Sequence, residues 1–212
     1  MYESNIIKKL KFILYILLNI NINKMPPFVN YQDDIVNDPQ GLPPSALFDK
    51  AIEDYDIDLI NSMINNGYDV NQPAFIIVNN NIRERYPLIF AVIRGYTDII
   101  NILLDAGCNI NYKDMNGMNS IMYAVKLGNI VILQKLINDI QNFDLVNIIN
   151  EYDNTNWTAL MIACEYGNVE IIQMLLDAGA DIHFLNEGNP SALDIAHSNG
   201  HIEVVNMLNG RN

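Results

Sequence analysis

Apolar and polar positions along this chain follow helical spacing, and the pattern returns at a fixed distance. Residues 153–183 show it best. Thr158-Ala159-Leu160-Met161 opens a first helix, with Thr158 placed as its N-cap. Leu160 and Ala163 fall on one face of that helix. Gly167 ends it, because glycine is free to take a positive φ. Asn168-Val169-Glu170 turns the chain into a second helix, Ile171-Ile172-Gln173-Met174-Leu175-Leu176. Asp177-Ala178-Gly179-Ala180-Asp181-Ile182 closes the unit.

The anchors of this unit recur. Ala91 to Ala124, Gly95 to Gly128, Ala163 to Ala196 and Gly167 to Gly200 are each 33 residues apart. Two spacings are longer: Ala51 to Ala91 is 40 and Ala124 to Ala163 is 39. Both extra pieces fall between a second helix and the next first helix. There a two-helix repeat has a surface loop, and added length costs little. The second unit closes with Leu103-Leu104-Asp105-Ala106-Gly107-Cys108-Asn109-Ile110-Asn111, and the first with Asn66-Gly67-Tyr68-Asp69-Val70-Asn71. In the third, Asp139-Ile140-Gln141-Asn142 runs into an insertion instead.

A 33-residue period with these closures and Thr-Pro-Leu-His-like openings resembles the ankyrin repeat. Five units are expected, at about residues 43–72, 82–112, 114–140, 153–183 and 186–210, forming a domain over 43–210. No unit keeps a full Thr-Pro-Leu-His opening: the second has Tyr86-Pro87-Leu88-Ile89, the third Asn119-Ser120-Ile121-Met122 and the fifth Ser191-Ala192-Leu193-Asp194. The first unit diverges most, with Tyr55 and Asp56 where the family prefers Gly-His. The resemblance implies an all-α ankyrin-repeat solenoid of about five helix–turn–helix units. It also implies a non-catalytic protein–protein interaction scaffold, bound through the concave helix face and loop tips. A substrate-recruiting adaptor of a larger complex, such as a ubiquitin ligase, is the alternative. Its second recruiting element would have to lie in residues 1–42, where none is recognised. Physically, one two-helix unit exposes apolar faces on both sides, and only stacking converts them into a core. The polar closure of the fifth unit (Asn206, Asn209, Gly210 and Arg211) reads as an end cap.

Composition adds three points. Half the residues are hydrophobic, enough to bury a sizeable core. Asn and Ile each make up about one residue in seven, a bias that AT-rich codons also produce. The net charge is −13. Residues 1–24 carry Lys8, Lys9, Lys11 and Lys24 against Glu3, a net +3, which leaves −16 for the rest. A body this acidic repels a phosphate backbone, so no nucleic-acid partner is expected. Solubility explains the charge, or steering toward a basic partner. Cys108 and Cys164 give neither a disulfide framework nor zinc spacing. Both fall where the repeat places a small buried residue, as free thiols in an intracellular, cytoplasmic protein.

Before the repeats, residues 12–22 form an apolar run behind a basic stretch. It is shorter than the ~20 residues of a membrane span. Asn19 and Asn21 interrupt it, and no small-x-small cleavage site follows. Residues 1–24 therefore stand as a tail, a helix docked on the first unit, or an upstream start with Met25 as the true initiator. A signal or anchor is the fourth reading, and a membrane partner is not expected. Residues 25–42, with Pro26, Pro27, Pro39, Pro43 and Pro44 in and beside them, read as a linker.

No phosphate loop and no Gly-x-Ser-x-Gly elbow is present. His197 and His201 are four apart, but Gly200 lies between them at a helix end, so they read as structural. Glu53, Asp56 and Asp58 read as a solvated helix face. No catalytic, cofactor or metal residues are therefore assigned, and no cofactor is expected. Asn156-Trp157-Thr158 matches a glycosylation sequon but sits at a repeat boundary. Asn71 and Asn111, with His183 in the same place, resemble the asparagines hydroxylated in ankyrin proteins; they also suit loop hydrogen bonds.

The resemblance places partner contacts on loop tips and first-helix ends. On this chain these are Arg83 and Arg85, Met115 and Met118, Trp157, Arg94, Lys126 with Leu127, and Glu165 with Tyr166. Trp157, Tyr166, Met118 and Leu127 are expected to form one patch, and Trp, Tyr and Arg are frequent hot-spot residues. Trp157 packed down on neighbouring loops is the competing reading. A monomer binding a protein partner is expected.

Overall fold

The computed structural model describes residues 42–78, 81–140, 145–184, 188 and 190–211. The expectations for residues 1–24, and for the linker up to residue 41, lie outside the described residues.

Five helix–turn–helix pairs account for most of the described chain: α1 Pro44–Glu53 with α2 Ile57–Asn65, α3 Pro87–Arg94 with α4 Thr97–Asp105, and α5 Ser120–Lys126 with α6 Ile130–Asp139. One short helix follows, α7 Leu145–Ile149, and then α8 Ala159–Tyr166 with α9 Val169–Asp177, and α10 Ala192–Ser198 with α11 Ile202–Asn209. The first helices α1, α3, α5, α8 and α10 pack on one another in that order, while α6, α9 and α11 pack likewise. The result is two helical layers of an all-α repeat solenoid.

Local chemistry sets the helix starts. Asn119, Asn129, Thr158 and Asn168 each accept the N–H three residues on, at Met122, Ile132, Met161 and Ile171. Ser191 and Asp194 make a reciprocal capping box on α10. Pro44 and Pro87 open α1 and α3, where a missing N–H costs nothing. The asparagine bias is therefore partly structural. Between the layers, Ile60, Ile99, Leu103, Leu133, Leu136, Ile171, Leu175 and Leu208 are fully buried. The first-helix alanines Ala51, Ala91, Ala124, Ala163 and Ala196 are at most 2 % exposed, so a small side chain lets adjacent first helices approach. No helix among the described residues is long and apolar enough to cross a membrane.

The two longer connections are structured rather than simple loops. The first holds a hairpin: β1 Ala74–Val78 pairs antiparallel with β2 Asn81–Arg85, Ala74 opposite Arg85 and Val78 opposite Asn81. The run Phe75-Ile76-Ile77-Val78 is aromatic and β-branched, which favours a strand. The hairpin is tied down at its base. Ala74 is buried, and Arg85 donates to Asp49 of α1 at 2.9 Å while its guanidinium lies 4.1 Å from the centre of the Phe90 ring. The second connection holds α7, anchored by the fully buried Ile149.

Candidate functional site

Two carboxylates shape the loop tips. Asp153 Oδ1 accepts the backbone N–H of Thr155 and Trp157 and the Thr155 hydroxyl, at 2.7–2.9 Å. Asp114 Oδ1 likewise accepts Asn116 and Met118 N–H at 2.9 and 3.0 Å. Each tip then passes through a positive φ, at Asn156 (63°) and Gly117 (77°). The next residue, Trp157 or Met118, is turned inward. The two tips are joined: Asn154 N–H donates to Asn116 O at 2.9 Å, and its side-chain amide to Met115 O at 2.7 Å.

Behind these tips lies an open groove of about 520 Å³. Trp157, Met118, Tyr123 and Ile162 are in its lining, with Lys126 from the end of α5 and Glu165 from the end of α8. The tip residues Asn116, Asp153, Asn154 and Thr155 complete it. Trp157 is half-buried and Met118 only 5 % exposed. The Tyr123 hydroxyl donates to Asp114 Oδ2 at 2.7 Å. Burial and that carboxylate push the phenol up to about 12, while the nearby Arg83 guanidinium pulls the other way. Arg83 itself is exposed on β2 and is not part of the groove lining.

Of the ten expected contact residues, Trp157, Met118, Lys126 and Glu165 are gathered in this groove. Leu127, Tyr166 and Met115 are about half exposed and lie outside its lining. Arg94 is exposed and donates to the Tyr96 hydroxyl at 2.9 Å. Arg85 is engaged with Asp49 and Phe90. Asp49 is buried, and desolvation raises its carboxyl to about 6 despite the Arg85 charge. Tyr123 and Ile162 were not anticipated. Both lie inside first helices, where the sequence gives no sign of which side faces the tips.

Other candidates resolve structurally. The Cys108 and Cys164 thiols are each pushed up to about 12 by burial, which leaves them poor nucleophiles. Cys108 is only half-buried. No group of His, Cys, Asp or Glu that could hold a metal is found among the described residues. His201 Nε2 lies 3.0 Å from Glu165 O, so this ring ties the last unit to the one before. Asp56 caps α2 by accepting Leu59 N–H at 3.0 Å. Thr158 of the sequon is 2 % exposed and caps α8. Asn71 spans to the next closure: its Oδ1 accepts Asn109 N–H at 2.8 Å and its Nδ2 faces Gly107 O at 3.4 Å.

The comparisons with known proteins agree with this architecture. A family model described as ankyrin repeats (3 copies) matches residues 47–147 and 140–211. The chain is 27 % identical over 142 residues to an ankyrin repeat protein of Acanthamoeba polyphaga mimivirus, covering 66 % of this chain and 19 % of that protein. It is 40 % identical over 62 residues to the NAD-capped RNA hydrolase of Homo sapiens, covering 29 % of this chain and 13 % of the hydrolase. It is 32 % identical over 168 residues to an ankyrin repeat and KH domain-containing protein of Caenorhabditis elegans, covering 77 % of this chain and 6 % of that protein. The chain thus spans less than a fifth of each of these relatives.

Proposed function

The chain belongs to the ankyrin-repeat family, and from that premise we propose that it is a non-catalytic scaffold whose Trp157 groove holds a segment of a protein partner. Ankyrin repeats in general mediate protein–protein interaction. The observation that carries the reading is the half-buried Trp157 in a groove of about 520 Å³, flanked by Lys126 and Glu165. A large indole left partly open between polar rims is the usual form of an interface anchor. The likeness to the RNA hydrolase is confined to 62 residues, 13 % of that protein, and carries no enzymatic reading here. The two inert thiols suit a reducing, intracellular setting.

Affinity capture from the native cell, wild type beside Trp157→Ala, tests the proposal. Partner affinity should fall by about 2 kcal/mol or more, with the circular dichroism unchanged. Undiminished capture by the folded variant would refute the groove as the binding site.

A further inference from the structure

The groove carries charges of its own, and they do not balance. Asp153 and Glu165 are the carboxylates of its lining, and Lys126 is its ammonium. A third carboxylate, Asp114, stands one hydrogen bond behind, accepting the hydroxyl of the lining residue Tyr123 at 2.7 Å. Asp114, Asp153, Glu165 and Lys126 form no ion pair among the described residues. The hydrogen bonds that Asp114 and Asp153 accept there come from neutral N–H and O–H groups, so each keeps its full charge.

An occupant of the groove therefore meets more acid than base at close range. Salt at physiological strength screens exposed charges over roughly 8 Å, so these near groups count most. The distant charges act in the same sense, because residues 25–212 carry a net −16. Near and far fields together favour a cation. The lining indicates its kind. No group of His, Cys, Asp or Glu that could hold a metal is found among the described residues. The half-buried Trp157 shares the lining with Met118 and Ile162, both buried. Such a wall suits a charge carried on an apolar stem, as in lysine and arginine. An indole face also attracts that charge directly, more strongly than the other aromatic rings do.

Resting on the protein-binding reading above, we infer that the groove selects a basic segment of its partner. The stem of one lysine or arginine of that segment packs against Trp157, and its charged head faces Glu165 and Asp153. Lys126 opposes this occupant, so removing it tightens binding where removing an acid weakens it.

Trp157 is the sole tryptophan of the chain, so its emission reports the groove directly. The full chain is titrated with three pools of peptides of about twelve residues, each with a central Leu or Phe. The flanks are Lys/Arg in the first pool, Asp/Glu in the second and Ser/Asn in the third. The basic pool should shift the emission saturably, with affinity falling as salt is raised. E165Q removes a side chain charge that makes no hydrogen bond among the described residues, and should weaken that binding by about threefold. D153N/E165Q should weaken it by about tenfold and leave the neutral pool unchanged. Asn in place of Asp153 keeps the Oδ1 acceptor, and unchanged circular dichroism checks the fold. E170Q/E203Q removes two charges from exposed positions on α9 and α11 and should leave the basic pool nearly unchanged. K126Q should tighten it. Equal or tighter binding of the acidic or neutral pool overturns the basic preference and leaves the protein-binding reading standing. Equal losses in the two double variants assign the preference to net charge and overturn the role of the groove in it. A shift from no pool overturns the groove itself as a site.

Discussion

The Tyr55 hydroxyl donates to the Asp98 carboxylate at 2.8 Å, a side-chain bond from the first unit to the second. Tyr55 stands where the later units have Gly95, Gly128, Gly167 and Gly200, and it adopts the same left-handed backbone, with φ of 57°. A side chain is strained there. What Tyr55 gains in return is the bond to Asp98 and an edge contact with Tyr96, ring centres 4.9 Å apart. Tyr55→Phe keeps the strain and loses the bond, so it should lower the denaturation midpoint. Tyr55→Gly loses both contacts but relieves the strain, so its midpoint should lie closer to wild type. A midpoint for Tyr55→Gly well below that of Tyr55→Phe would show that no strain is stored.

Asp49 gives the hairpin a pH-dependent anchor. Burial raises its folded-state carboxyl from 3.8 to about 6, with Arg85 at 2.9 Å opposing the rise. A raised folded value means that the folded protein takes up the proton first. This group's contribution to stability is therefore fully present below 3.8 and is lost as pH rises through about 6. Carbon-detected NMR of the Asp49 carboxyl should show a midpoint near 6. Arg85→Gln removes the opposing charge and should move that midpoint higher. A wild-type midpoint near 4, or a downward move in the variant, contradicts the assignment.

Gly167 is constrained twice. Its φ is +71°, and a Cβ there would collide with the ring of His201. Gly95, at +74°, has open space around it. Gly95→Ala should thus cost about 1–2 kcal/mol from backbone strain alone. Gly167→Ala should cost more, because the ring contact is added. In Gly167→Ala with His201→Ala the collision is gone, so the double variant should be less destabilised than the two singles added together. Urea unfolding of the four proteins measures the coupling; strict additivity would remove the contact from the account.

The repeat framework was legible because it rests on residues that admit few substitutes. A buried Ala between first helices and a Gly at positive φ recur at 33 residues wherever no insertion intervenes. The caps Asn119 and Asn129 return across the second insertion as Thr158 and Asn168, each 39 residues on. The insertions were legible as added length but not as form. Phe75-Ile76-Ile77-Val78 is a strand run, yet the hairpin is fixed by Asp49 and Phe90, distant in sequence. At the site, Trp157, Lys126 and Glu165 could be read from the repeat positions. Met118 was expected at an exposed tip, but the Asp114 turn folds it inward to 5 % exposure. The spacing Asp114–Gly117–Met118, matched by Asp153–Asn156–Trp157, was the available signal. Tyr123 and Ile162 needed the fold itself, which brings these two first-helix residues to the same groove.

The asparagines at the closures supply the last prediction. Asn150, at the end of the second insertion, does for the fourth unit what Asn71 does for the second. Its Oδ1 accepts Asp181 N–H at 2.8 Å, and its Nδ2 donates to Gly179 O at 3.0 Å and Val146 O at 2.8 Å. Asn111 occupies the equivalent place facing the third unit, the one whose Gly-Ala-Asp closure is missing. Its Oδ1 is buried with no partner among the described residues. A bonded amide stabilises modestly, whereas a buried orphan costs about 1–3 kcal/mol. Asn150→Ala should therefore destabilise by about 1–2 kcal/mol. Asn111→Ala removes an unsatisfied group, so it should be neutral or stabilising by up to about 1 kcal/mol. Thermal and urea unfolding of the two variants decide the matter. If Asn111→Ala loses as much stability as Asn150→Ala, its carbonyl has a partner after all, and the missing closure is replaced by other contacts.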